Sequence, residues 1–234
     1  MLIRIGLENN MDGHSIAWAL DHPGCFANGK DGKEALVNVP RAVIAYQAWL
    51  DSHMPDSWLK ELKDFDIRLV ETFECTIIDE NYEPAKEGYE IDAWFMDYWK
   101  PLTRQDVLRG KQLLSFSRAD LLQVTEGIDA ARLDREYPGE RWSIRGVLKH
   151  VANADWWYLS RLEKTGYPTK ELPDDVFERL KATRARLEAI LPELEGVELV
   201  MGKQGELWSP RKLLHRALWH ELDHIDHIKK LLAK

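Results

Sequence analysis

Up to about residue 95 the apolar residues of this chain recur mainly at every second position, and thereafter every three to four positions. A strand alternates its faces with period two, whereas a helix returns to one face every 3.6 residues. Two such periods in series predict two domains, with the boundary between Phe95 and Pro101. In the first part, Leu2–Leu7 and His14–Leu20 read as strands, and Asn9-Asn10-Met11-Asp12-Gly13 supplies the turn of a hairpin. His22-Pro23-Gly24-Cys25-Phe26 breaks the second run. From Gly32 to Leu50 a helical face carries Ala35, Leu36, Val39, Ala42, Val43, Tyr46 and Leu50. After a polar loop through Pro55, Ile67–Cys75 alternates again, and a further short strand is expected over Tyr89–Phe95. Residues 1–95 therefore predict a small α+β domain.

Residues 97–234 read as helical throughout. Thr103 with Asp106 starts a helix that runs to about Glu126. Ser143 opens a second, with Ile144, Val147, Leu148, Val151, Trp156, Leu159 and Leu162 as its buried stripe. Pro173-Asp174-Asp175 opens a third that ends near Leu194, and Ser209-Pro210 opens the fourth. The expected architecture is an all-α four-helix bundle.

Hydrophobic residues at 44% and charged residues at 31% describe a folded globular chain rather than a disordered one. No run approaches the roughly 18 to 20 apolar residues of a membrane span. The start MLIRIGLENN lacks the basic and apolar regions of a signal peptide, so a cytoplasmic protein is expected. Cys25 and Cys75 form no CxxC pattern, which argues against a disulfide scaffold or a cysteine zinc site. The net charge of −8 is uneven: residues 1–95 hold 8 Lys+Arg against 18 Asp+Glu, and the rest 24 against 22. An acidic first domain repels nucleic acid and suits either a basic protein partner or plain solubility.

Five of the eight histidines lie in the helical part. His220 and His224, four apart, stand one turn apart on the same helix face, where two imidazoles can reach a single ion. His150 is the only histidine of this part outside the last helix, and so the natural third ligand. Three protein ligands with an open position describe a catalytic rather than a structural metal site. The alternative is a polar helix face with His150 hydrogen-bonded in the core. His215 is rotated off the face and reads as surface or packing. His227, one turn beyond His224, stays open as a supporting group, an alternative ligand or neither. His220-Glu221-Leu222-Asp223-His224 also spells HExxH, the signature of zinc proteases. Against a protease, His227 stands where the extended motif has glycine, that motif's third histidine is missing, and the ten residues after His224 include no glutamate to serve as a distant ligand.

The stretch Trp142-Ser143-Ile144-Arg145-Gly146-Val147-Leu148-Lys149-His150-Val151-Ala152-Asn153-Ala154-Asp155 resembles the second helix of the DinB-like family. His220-Glu221-Leu222-Asp223-His224-Ile225-Asp226-His227-Ile228 resembles that family's last-helix pattern HxxxHxxQI, with His227 in place of glutamine. The resemblance spans roughly residues 97–232. It implies a four-helix bundle that holds one divalent metal ion, zinc or nickel as the usual metal, by His150, His220 and His224. Characterised relatives include thiol-dependent transferases and isomerases. At the other end, the run from Gly13 to Lys30, containing Pro23-Gly24-Cys25-Phe26-Ala27-Asn28-Gly29, and the following Glu34-Ala35-Leu36 resemble HicB-type antitoxin domains. That resemblance implies a partial ribonuclease-H-like β-β-β-α-β fold, which in antitoxins binds a small basic protein.

An open position on a bound metal lowers the pKa of a water or an incoming thiol. The expected function is a divalent-metal-dependent hydrolase, or a thiol-dependent transferase, acting on a small molecule and a low-molecular-weight thiol. Glu221 and Asp155 are candidate catalytic proton carriers or anchors of imidazole N–H groups, unless they are solvent-facing charges. Trp142, Trp156, Trp157, Trp208 and Trp219 either wall a pocket or fill the bundle core. The alternative function is a non-enzymatic binding module whose HicB-like domain recognises a protein partner. Related bundles often dimerise, which makes a homodimer a further expectation.

Overall fold

Asp12 and Gly13 close the first hairpin with φ of +46° and +75°. This pair of left-handed residues suits a two-residue turn whose twist matches the flanking strands. The turn joins β1 (Leu2–Met11) to β2 (His14–Ala19), paired antiparallel from Ile5↔Ala19 to Met11↔His14. The computed structural model describes residues 1–234, which divide into two units: 1–100 with 202–207, and 101–201 with 208–234.

In the first unit, β3 (Phe26–Gly29) pairs antiparallel with β2, and α1 (Gly32–His53) then leads to β4 (Asp66–Glu74), parallel to β1. The mixed sheet has the order β3-β2-β1-β4, and this is an α+β unit. Its elements follow one another as β-β-β-α-β. Asp31 caps α1 by accepting from the Glu34 amide, and the Glu34 carboxylate accepts in return from the Lys30 amide. Ala35, Val39, Val43, Tyr46 and Leu50 of the expected face are buried, whereas Leu36 and Ala42 are only half-buried at its margin.

Two short strands, β5 (Ile77–Ile78) and β6 (Tyr89–Glu90), complete the unit's strands up to residue 100. The strand expected over Tyr89–Phe95 is thus only two residues long. The Ile91 amide still donates to the Thr76 carbonyl at 2.9 Å, but carboxylates take donors beyond it: Asp92 N–H donates to Glu206 at 2.7 Å, Ala93 N–H to Glu8 at 2.6 Å and Met96 N–H to Glu71 at 2.8 Å. Glu8, fully buried in β1, also accepts from the Trp18 indole at 2.9 Å.

The second unit contains α2 (Arg104–Val124), the single-turn α3 (Ala130–Leu133), α4 (Ile144–Arg161), α5 (Val176–Ile190) and α6 (Pro210–Leu232). Thr103 and Asp106 form a reciprocal capping box at α2. Ser143, Asp175 and Ser209 cap α4, α5 and α6 through their side chains, as their positions before apolar runs predict. The third helix stops at Ile190 and continues to Leu194 as a 3₁₀ turn, because Pro192 has no N–H to continue the α-helical ladder. α4 packs against both α5 and α6, and α2 packs against α6. Leu121, Val147, Leu148, Val151, Leu180, Ile225 and Ile228 form the shared core, each side chain contributing roughly 1.5–3 kcal/mol through burial. The hairpin of β7 (Met201–Lys203) and β8 (Glu206–Trp208) is too short to show in the sequence periodicity. No helix is long and apolar enough to cross a membrane.

The close approach of β3 to the start of α1 is directly testable. A Cβ on Gly29 would stand 2.1 Å from the Ala35 amide nitrogen, inside the backbone itself. Gly29→Ala is expected to lower the unfolding free energy by about 2 kcal/mol or more in urea titrations. Gly202→Ala, whose Cβ would meet only Leu207 at 4.0 Å, serves as the near-neutral control.

Candidate metal centre

α4 and α6 face each other through Val147, Val151, Ile225 and Ile228. That packing brings His150 of α4 to His220 and His224 of α6. The Nε2 atoms of His220 and His150 are 2.9 Å apart, and those of His224 and His220 are 3.2 Å apart. The three ligand atoms all lie within 4.8 Å of one another. The rings of His220 and His224 meet at 83° and those of His150 and His224 at 87°, so they converge edge-on instead of stacking.

A neutral imidazole has one donor and one acceptor nitrogen. His220 Nε2 therefore satisfies only one of its two close neighbours when it donates, and accepts from only one when it does not. A cation at the point of convergence removes the conflict, since all three nitrogens then offer lone pairs. Three nitrogens at zinc-ligand distance from one ion stand roughly 3.3 Å apart, which matches the observed approach. Burial pushes the His220 imidazole well below its ordinary 6.5, and the neighbouring His224, His150 and Arg216 push it further. Burial, then His150 and His227, brings His224 down to about 3. Burial and then Arg141 lower His150. All three rings are consequently neutral at pH 7, the form that binds metal.

The surroundings assign several residues that the sequence left open. The Trp142 indole stacks on His150, with centroids 4.5 Å apart and planes 27° apart. Tyr158 meets His220 edge-on at 6.1 Å. His227 bonds the Glu140 carboxylate at 2.9 Å, and Lys234 bonds the other oxygen at 2.5 Å. His227 is thereby held at the rim, its ring centroid 6.0 Å from that of His224. His215 is buried packing. Of the tryptophans, Trp142 walls the triad, whereas fully buried Trp208 packs between Trp157 and Tyr158 in the core.

Glu221 and Asp155 do not join the histidines. Both are nearly inaccessible, at 1% and 2% exposure, which overturns the solvent-facing alternative. The side-chain bonds of Glu221 run to Ser117, to Arg118 at 2.6 Å and to Arg184 at 2.8 Å. Those of Asp155 run to Arg118 at 3.0 Å and Arg184 at 3.2 Å. Burial alone would raise the Glu221 carboxyl, but Arg184, Arg118 and the Ser117 hydroxyl outweigh it and hold it below 4.5. The arginines have a signal in the sequence, though an indirect one. Arg118 follows Leu114 by four and precedes Leu121 by three, and Arg184 stands likewise between Leu180 and Leu187, so each cation sits on its helix's apolar stripe. A groove of about 410 Å³ lined by Arg118, Leu122, Phe177 and Leu180 contains none of the three histidines. Convergent nitrogens, not volume, define the centre.

A four-helix bundle with three imidazoles converging from two of its helices is the class that fold and site define. Residues 113–228, most of the bundle, match the DinB superfamily. Two solved structures are similar. One is TT2238, described as a four-helix bundle protein, at 22% identity and a TM-score of 0.42, over 53% of this chain and 98% of that one. The other is YfiT from Bacillus subtilis, described as "a probable metal-dependent hydrolase with an unusual four-helix bundle topology", at 23% identity and a TM-score of 0.44, over 65% of this chain and 92% of that one. No curated protein matches the chain.

Two outcomes follow. Arg184→Met leaves Asp155 and Glu221 short of a cation in the core, and should cost roughly 3–5 kcal/mol in chemical denaturation. In chelator, acid should weaken the fold in a defined window. The unfolded chain protonates His224 near 6.5 and the folded chain near 3, so stability is full above pH 6.5 and falls as pH drops toward 3. Calorimetric Tm measured against pH should show a shallower decline in His224→Gln.

Proposed function

We propose that this protein is a divalent-metal-dependent enzyme acting on a small molecule, as a hydrolase or a thiol-dependent transferase, with His150, His220 and His224 as ligands to zinc or nickel. The observation that carries the reading is the convergence of three neutral Nε2 atoms that no set of protons can satisfy together. When bound, the divalent ion supplies Lewis acidity at a coordination position left open by the three protein ligands.

The chain's own residues do the rest. His150 is held against the Trp142 face, which limits rotation of its ring. Glu221 and Asp155 fix α6 and α4 through Arg118 and Arg184, and we assign them this positioning role in place of proton transfer. His227, oriented by Glu140, is a polar side chain at the rim that a bound molecule can meet. For residues 1–95 we favour a HicB-like identity, supported by the Pro23–Gly29 segment and the β-β-β-α-β order. Its acidic balance suits a basic protein partner.

Elemental analysis of the protein purified without chelator should find about one zinc or nickel per chain. His150→Ala and the double variant His220→Ala/His224→Ala should each lose it while keeping their helical circular dichroism. Metal-free protein that stays so after excess ions are added would leave the non-enzymatic binding module as the surviving reading.

A further inference from the structure

Arg118, Arg145, Arg184 and Arg211 of the helical unit each pair with a carboxylate. Arg141 does not. Its exposed guanidinium rests on the face of Trp142, with the central carbon 4.6 Å from the ring centroid, and no carboxylate meets it. The same indole stacks on His150. Imidazole and guanidinium both contact the Trp142 indole, and the Arg141 charge adds to burial in lowering His150.

Both sequence neighbours of Arg141 are pinned. The turn Tyr137–Glu140 is closed by the Glu140 amide donating to the Tyr137 carbonyl at 3.0 Å, with Gly139 at φ +81°. From it Glu140 reaches His227 on α6, and Trp142 reaches His150 on α4. The segment is tied to both histidine-bearing helices, so the Arg141 backbone is held beside them while its guanidinium lies over the Trp142 ring. Its planar fork of N–H donors fits the paired oxygens of a carboxylate or a phosphate.

We infer that Arg141 is a substrate-binding residue that selects small molecules bearing an oxyanion, carboxylate or phosphate, beside the group presented to the metal. This inference rests on the three histidines being metal ligands. An exposed guanidinium gives a modest gain, about fivefold in affinity, which salt weakens by screening.

The test uses the full chain loaded with cobalt(II), whose visible spectrum reports occupancy of the histidine site. Acetohydroxamate and succinic monohydroxamate present the same metal-binding head, the first with a neutral tail and the second with a carboxylate. The expected result is about fivefold tighter binding of the carboxylate form at low salt, declining toward parity near 1 M salt. Arg141→Gln should abolish the preference without changing acetohydroxamate binding, and Arg141→Lys should keep part of it. An unchanged preference in Arg141→Gln overturns the inference while leaving the metal reading intact. Loss of the cobalt spectrum in Arg141→Gln alone also overturns it, by assigning the residue to holding the triad. A parent protein with no cobalt spectrum, or one that neither hydroxamate perturbs, overturns the metal-enzyme reading and this inference with it.

Discussion

Two arginines and two carboxylates lie buried where the four long helices meet: Arg118 of α2, Asp155 of α4, Arg184 of α5 and Glu221 of α6. Taking each charge out of water costs several kcal/mol, and only full pairing offsets that cost. Any slip of one helix against another would leave a charge unpaired, so the network selects one register. Glu221 directly follows His220, and successive helical residues point about 100° apart. Seating Glu221 among the arginines therefore sets the rotation of α6 and turns His220 toward α4. Asp155 acts in the same way on α4, about one and a half turns after His150.

The first unit uses the same device in a different setting. Glu8 lies fully buried in the sheet and accepts from the Trp18 indole and the Ala93 backbone. A buried carboxylate that binds backbone and indole donors can fasten an irregular segment where no strand is available to pair with it. In both units an acidic side chain that looks like a surface or catalytic group acts as an internal tie.

The centre itself depends on neutrality. Burial keeps the three imidazoles uncharged, and the network below holds them close enough to compete for a single proton. The walls are aromatic, from Trp142 and Tyr158, and the polar groups Glu140 and His227 stand at the rim. A mostly apolar surround with a few placed polar groups is what orients a small ligand.

Much of this was legible in the chain, because it depends on neighbours a few residues apart. Thr103, Ser143, Asp175 and Ser209 announce helices through contacts with amides two or three positions on, and the four-residue step from His220 to His224 puts both on one face. The partners of a side chain that reaches across the bundle were not legible. Glu221 and Asp155 carry the same local marks whether they face a metal, solvent or an arginine. Only packing assigned them to Arg118, which is 103 and 37 positions away in sequence. The strand expected beyond Glu90 failed for the same reason, since its Asp92 and Ala93 amides were claimed by Glu206 and Glu8, two acids distant in the chain. Periodicity and spacing specify which elements form and which face each presents, whereas the pairing of buried charges is a property of the assembled core.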